Sequence, residues 1–258
     1  MLRIVRASWF LAWIAGCATA RPAPPTPTAI AFHLPPPLEL ERNAIDGQVR
    51  ACVRTTTEWF ARNGFEVPRG GIITEAYIFD DRDAARMALA GRLDMDSNSV
   101  PATFAGTVDG STLLVVTPDL YREIFMKLYP DEHWSIAEHE KLMIHEIAHA
   151  VHARLARDRF GTEDAMGPRW FFEGLAIDCA GQFPVTGDAA VPLSWVQIAD
   201  LFDLDEKDAL PPPIYPTYAR IFRSLQMNVP VSWLIDHAGD ADFADKLRRA
   251  YLRDSKPQ

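Results

Sequence analysis

The residues most able to do chemistry lie in one short run, His-Glu-Ile-Ala-His at positions 145–149. The surrounding residues 137–156 contain no Pro or Gly and are rich in Ala, Leu, Glu and Lys, a composition that favours a helix. On a helix, His145 and His149 lie about one turn apart on one face, so both imidazoles can bind one metal ion. Zinc binds neutral imidazole nitrogen readily, and Glu146 flanks that face within reach of a metal-bound water. The run therefore predicts the helix of a zinc hydrolase, with Glu146 as general base.

A third metal ligand is available in the next helical segment. After a break at residues 158–167, a second helical pattern begins at Pro168 and carries Glu173 among Trp, Phe, Leu and Ile side chains. Two helices joined by a short loop can pack antiparallel, which would bring Glu173 opposite the histidine pair. A carboxylate buried among apolar side chains needs a partner, and a cation supplies one. Gly174 and Ala176 lack bulk, so the two helix backbones could approach closely there.

The two segments together resemble a known family. His-Glu-Ile-Ala-His followed by Pro-Arg-Trp-Phe-Phe-Glu-Gly-Leu-Ala is similar to the paired motifs of the gluzincin zinc metallopeptidases, and most closely to those of the bacterial peptidase MA-like group. The resemblance covers residues 137–182 and is weak elsewhere. It implies that His145, His149 and Glu173 bind one Zn²⁺ ion, that Glu146 is the catalytic base, and that the fold is zincin-like, with an active-site cleft between its two parts.

The resemblance also implies groups around the metal. In this family a Tyr at the start of a later helix can donate to the developing oxyanion; Tyr218 is the candidate here, and Tyr215 is the reserve. Some gluzincins place a carboxylate four residues after the ligand Glu, where it orients a ligand His. That position is Ile177 in this chain, and Asp178 follows it, so the group that orients the imidazoles stays open. An edge strand of the sheet would hold an extended peptide by strand addition, with a purely structural hairpin as the alternative.

The pattern along the chain predicts an α+β fold, with a small sheet and helices in residues 38–133 and a helical part carrying the metal site in residues 134–258. An acidic run at 203–208 is expected to be solvated. His152 lies on roughly the face of His149, either as a group behind the ligands or as an ordinary satisfied residue. The predicted helices cover 38–63, 81–93, 118–129, 134–156, 168–178, 193–202, 214–225, 231–237 and 242–253, and the predicted strands cover 72–79, 103–108 and 112–116.

The first residues are typical of a targeting segment. A short basic region precedes a short apolar core, and the end, Ile-Ala-Gly-Cys at 14–17, resembles a bacterial lipobox in which Cys17 would be acylated. The alternative is cleavage after residue 20, which would release a soluble periplasmic or secreted protein. Residues 18–37 are rich in Pro and predict an extended spacer, in which His33 is solvated. The expected location is thus the cell envelope, with a lipid anchor facing the periplasm.

Composition limits the remaining choices. The formal net charge of −9 does not favour binding to nucleic acid or anionic lipid, and no apolar run after the first twenty residues is long enough to span a membrane. Cys52 and Cys179 could pair in an oxidising periplasm or stay as two buried thiols.

These features predict a zinc-dependent peptidase of the cell envelope acting on peptide or protein substrates. Because no amine-binding acidic motif of the aminopeptidase type is visible, an endopeptidase is favoured. The alternative is an envelope lipoprotein with a binding role and a structural or vestigial zinc site; a weaker option is hydrolysis of a non-peptide amide.

Overall fold

The computed structural model describes residues 29–67, 71–184, 191–210 and 213–254. These residues form an α+β fold with a small mixed sheet and many helices, which confirms the predicted class. The strands are β1 (Ala31–His33), β2 (Glu75–Phe79), β3 (Gly106–Asp109) and β4 (Thr112–Val116). The helices are α1 (Arg42–Arg62), α2 (Arg82–Leu93), α3 (Pro118–Leu128), α4 (Ile136–Phe160), α5 (Arg169–Ala180), α6 (Trp195–Glu206), α7 (Ile214–Gln226), α8 (Val231–His237) and α9 (Phe243–Asp254).

The sheet has the order β1-β2-β4-β3, with β1, β2 and β4 parallel and β3 antiparallel to β4. The predicted hairpin is confirmed: β3 and β4 are joined by Gly110 and Ser111, and Gly110 has φ +57°, a left-handed conformation that glycine adopts without cost. β4 is buried along its whole length because it lies inside the sheet. β3 is left at the edge, where its outer backbone groups can pair with another extended chain.

Helix α4 is the element on which the other parts converge. It packs against α1, α5 and β3. Its buried face includes Met143, Ile147 and Val151, which join side chains of the sheet and of α7, such as Leu113 and Phe222, in one hydrophobic core. The sheet-bearing part and the helical part therefore share a core, and residues 145–149 lie where they meet.

Helix α5 makes its closest approach to α7. A Cβ atom added at Gly174 would lie 2.8 Å from the Cβ of Phe222 and 3.1 Å from the backbone oxygen of Tyr218. The prediction that Gly174 lets α5 approach α4 is therefore wrong, because the atoms that a side chain there would meet belong to α7. The two helices run parallel, because Gly174 meets Tyr218 while Asp178, one turn later, bonds to Arg223 and Gln226.

Three predictions need correction. Residues 31–33, expected in the spacer, form β1, and His33 is bonded to Glu75 at 2.8 Å and stacked on Tyr77. Asp205, expected to be solvated, is buried. The helix predicted from residue 38 begins at Arg42, after a 3-10 turn at Pro36–Glu41. By contrast, Asp81 caps α2 as predicted, accepting a hydrogen bond from the Ala84 amide at 2.8 Å.

The two cysteines inside the described residues are free and buried. Burial raises the pKa of Cys52 to about 12, so the thiol stays protonated and unreactive at neutral pH. The structure therefore has two buried free thiols and not a disulfide between Cys52 and Cys179. The predicted leader with its lipobox Cys17, and most of the spacer, lie outside the described residues. None of the described helices is both long enough and apolar enough to cross a membrane.

Candidate metal centre

Three ligand atoms from two antiparallel helices converge on one point. His145 and His149 on α4 face Glu173 on α5, and among the described residues these three side chains form a group whose possible ligand atoms all lie within 4.8 Å of one another. The His145 Nε2 and His149 Nε2 atoms are 3.1 Å apart. Glu173 Oε2 lies 3.2 Å from the first and 3.7 Å from the second. The group can hold a metal ion.

The positions of these three atoms favour coordination of a metal ion over hydrogen bonds among the side chains. Glu173 Oε2 is buried, and despite its short distances it makes no aligned hydrogen bond. Two imidazole nitrogens that face each other at 3.1 Å can share only one proton, whereas both can donate a lone pair to a cation. Tetrahedral coordination with bonds of about 2.0–2.1 Å separates ligand atoms by about 3.3 Å, which is close to the spacing here.

The charges of the group also favour a cation. Burial alone would lower the pKa of His145, but the nearby Glu173 carboxylate, together with the charge of Glu146, raises it. Burial opposes ionisation of Glu173, yet the two imidazoles lower its pKa well below the usual range. Glu173 is therefore an anion whose charge needs a nearby positive charge, which a proton or a metal ion can provide.

Glu146 faces the same space without joining the ligand group. Its side chain lies beside the edge strand: a Cβ atom at Gly106 would be 3.3 Å from Glu146 Cγ. Burial raises the pKa of Glu146, and the two imidazoles partly oppose this. A carboxylate whose pKa is raised towards neutrality is suited to accept a proton and then to release it.

The group that orients His145 is Gln182, which the sequence analysis did not find. Its Oε1 atom accepts a hydrogen bond from His145 Nδ1 at 3.0 Å, so the Nε2 lone pair is free to face Glu173 and His149. Gln182 stands two residues beyond the end of α5. The only signal in the sequence is Gly181, a helix stop that turns the chain back towards α4.

The structure reverses the predicted order of the two tyrosines of α7: Tyr215 lines the cavities beside His145, and Tyr218 does not. The hydroxyl of Tyr218 donates to Asp205 Oδ1 at 2.5 Å, the side chain is fully buried, and it lines neither cavity at the metal group. Arg169 binds the same oxygen at 2.8 Å, so this cluster ties α5, α6 and α7 together. Tyr215, the reserve candidate, lies near His145 with ring centroids 6.0 Å apart. The geometry argues against Tyr218 at the metal and favours Tyr215.

The other histidines on α4 point away from the ligand group. His152 is fully buried against Phe171, and neither ring nitrogen has a partner among the described residues. Burial lowers the pKa of His152 to about 3, so the ring is neutral. The Nε2 atom of His139 lies 2.8 Å from the carbonyl oxygen of Val116. His152 thus does not bond to the imidazole of His145 or His149, and His139 contacts a backbone carbonyl instead.

Two cavities adjoin the group of His145, His149 and Glu173. Both are lined by Gly106, His145, Glu146 and Tyr215. The first has a volume of about 600 Å³, and apart from His145 and Glu146 its lining side chains are uncharged. The second, of about 660 Å³, runs along β3 and also contains His149 and Glu173. Because the two cavities share these residues they adjoin, and together they are called the cleft, with an apolar half and a polar half beside the three side chains that could hold a metal ion. Comparison of the chain with protein families, curated proteins and solved structures found no match.

Proposed function

We propose that the protein is a zinc-dependent peptidase. The observation that carries the proposal is the convergence of His145, His149 and Glu173 on one point, with Glu146 beside them in an open cleft. Three ligands leave one coordination position available, as a catalytic zinc ion requires, and a closed structural site would have no use for Glu146. The donor set of two imidazoles and a carboxylate is one that zinc prefers, and it agrees with the resemblance to zincin-like gluzincins.

Different residues of the chain have different roles in the proposed hydrolysis. Zinc, when bound, would lower the pKa of a water molecule and polarise the scissile carbonyl. Glu146 accepts a proton from the attacking water and passes it to the leaving amine. Tyr215 lines both halves of the cleft, where its hydroxyl can donate a hydrogen bond to the oxyanion. Burial, followed by the charges of Glu173 and Glu146, raises the pKa of Tyr215, so the hydroxyl keeps its proton.

The cleft suits an extended peptide. β3 is an edge strand of the sheet that the described residues form, and Gly106–Asp109, together with Gly110 of the turn, line the polar half of the cleft. A peptide that pairs with this edge would pass the metal position, and the apolar half, lined by Phe104, Ile124 and Phe183, would take an uncharged side chain. An open cleft of this kind fits endopeptidase action, and the N-terminal leader would place the enzyme in the cell envelope.

Metal content and metal-dependent hydrolysis test this proposal directly. The purified full-length protein is expected to hold one zinc ion per chain and to cleave an unfolded protein substrate. A chelator should abolish cleavage while the circular dichroism spectrum stays that of the folded protein, and added zinc should restore cleavage. Loss of fold on chelation, with no cleavage by the loaded protein, would instead support a structural zinc site.

The tyrosine pair gives a matched comparison. Tyr215→Phe is expected to lower kcat by about a hundredfold, because it removes a donor to the oxyanion. Tyr218→Phe removes the hydrogen bond to the buried Asp205 carboxylate, so it is expected to cost about 1–3 kcal/mol of unfolding free energy and to leave kcat within about threefold of the parent. Steady-state kinetics and urea unfolding of both variants measure these effects. A large loss of kcat in Tyr218→Phe alone would reverse the assignment.

A further inference from the structure

The turn after α5 reverses the chain, so that the Gln182 side chain reaches α4. Gly181 has φ +62°, its amide donates to the Asp178 carbonyl at 3.1 Å, and the Gln182 amide donates to the Ile177 carbonyl at 3.0 Å. This pair of bonds is the Schellman helix ending, in which a left-handed residue reverses the chain. Phe183 is also left-handed, with φ +47°, which is unfavourable for an aromatic residue. The turn therefore needs support from outside.

Arg223 on α7 supplies that support. Its Nη2 atom donates to the Gln182 carbonyl at 2.8 Å, and its Nη1 atom donates to the Phe183 carbonyl. The guanidinium thus binds the carbonyls of two successive peptide groups, one on each side of the Phe183 Cα atom. A planar group with several fixed donors can hold two carbonyls and a carboxylate at once.

Asp178 holds the guanidinium in place. Its Oδ1 atom accepts a hydrogen bond from Arg223 Nε at 3.1 Å, and its Oδ2 atom accepts one from Gln226 Nε2 at 3.0 Å. Asp178 is therefore joined to α7 and not to an imidazole. It follows directly on Ile177, the position at which some gluzincins carry the orienting carboxylate.

We propose that Asp178 and Arg223 position Gln182, which in turn holds the His145 ring for metal binding. The inference rests on the metal site proposed above. The chain of contacts is continuous: Asp178 binds Arg223, Arg223 binds the Gln182 and Phe183 carbonyls, and the Gln182 Oε1 atom accepts a hydrogen bond from His145 Nδ1. A neutral amide acceptor fixes the ring and its tautomer without adding another negative charge to those of Glu173 and Glu146. Arg223 also fixes Phe183 in the wall of the apolar cavity.

Zinc affinity in a double-mutant cycle tests the proposal. Gln182→Met keeps the size of the side chain but removes the acceptor, and we expect zinc affinity to fall by about 10–100-fold. Arg223→Met is expected to lower it by about tenfold. Because Arg223 acts through Gln182, the double variant should bind zinc no more weakly than Gln182→Met alone. Zinc affinity is measured by competition with a chromogenic chelator, on variants whose folding is checked by circular dichroism.

Three further variants separate positioning from general packing. Gln182→Glu keeps an acceptor, so it should restore most of the zinc affinity. Arg223→Lys keeps the charge without the planar fork and should bind zinc as weakly as Arg223→Met. Gln226→Met removes the other partner of Asp178 while leaving Arg223 in place, and should bind zinc like the parent. In the Co²⁺-loaded protein, the visible absorption bands should change in Gln182→Met and Arg223→Met but not in Gln226→Met.

Several results would overturn the proposal. These are additive losses in the double variant, parent-like zinc binding in Arg223→Met, or an equal loss in Gln226→Met, which would indicate packing between α5 and α7. Failure of the metal site itself is distinguishable, because in that case the parent protein would not bind zinc. A zinc-binding parent with indistinguishable variants would reject the positioning role alone.

Discussion

Glu146→Gln is expected to abolish peptide hydrolysis while the protein keeps its zinc ion. The amide has the size of the carboxylate but cannot accept a proton from water at neutral pH, and general base catalysis contributes about 10²–10⁴-fold to rates. We expect kcat to fall by about 10³-fold or more. Since Glu146 is not one of the three converging ligand atoms, zinc stoichiometry should remain that of the parent. Initial-rate assays on an unfolded protein substrate and atomic absorption on dialysed protein measure the two quantities.

Glu140→Gln is a matched control for this experiment. Glu140 lies on the same helix but is exposed, and it lines neither half of the cleft. The same chemical change there should leave kcat and zinc content unaltered. Hydrolysis at the parental rate by Glu146→Gln would show that another group activates the water.

Glu173→Gln is expected to have the second large effect, on zinc binding. The change removes the anion of the ligand group and leaves a weak neutral oxygen donor opposite the two imidazoles. Loss of an outer-shell partner already costs about 10–100-fold in metal affinity, so loss of a ligand should cost more than about 100-fold. The measurement is zinc retained after dialysis against a chelator of known affinity.

Glu163→Gln provides the comparison for Glu173→Gln. Glu163 lines the same polar half of the cleft but pairs with Arg157 and lies outside the ligand group. Its loss should leave zinc affinity within about threefold of the parent, because a partly exposed charge is screened by solvent. Equal zinc retention by Glu173→Gln and the parent would exclude Glu173 as a ligand and remove the basis of the enzymatic proposal.

The same elements that form the core also set the geometry of the cleft. α4 is held between the sheet and α5, so the His145 and His149 imidazoles are fixed by packing on both sides. Gly106 lets β3 pass beside Glu146, and Gly174 lets α7 approach α5. A side chain at either glycine would move a wall of the cleft or the helix that carries Glu173, because close-packed interiors do not absorb added volume cheaply.

Local rules were enough to predict much of this arrangement from the sequence. The helical repeat places His145 and His149 on one face wherever that helix packs, and the Asp-Gly-Ser run predicts the hairpin through its own turn preference. Glu173 was also predictable, since a carboxylate in an apolar helix requires a counter-charge and the nearest helix offers two imidazoles. These predictions depend on interactions within a few residues or between two adjoining helices.

Only the tertiary structure decided which distant residues complete the site. Tyr215 and Tyr218 lie on one helix within a turn of each other, and the rotation of α7 against α5 and α6 decides which of them faces the metal position. The roles of Gln182, Arg223 and Asp205 follow from contacts between residues far apart in the chain, such as Arg169 with Asp205 (36 residues apart) and Arg223 with Gln182 (41 residues apart). Helix periodicity shows which residues share a face, but the direction of that face is set by how whole elements pack together.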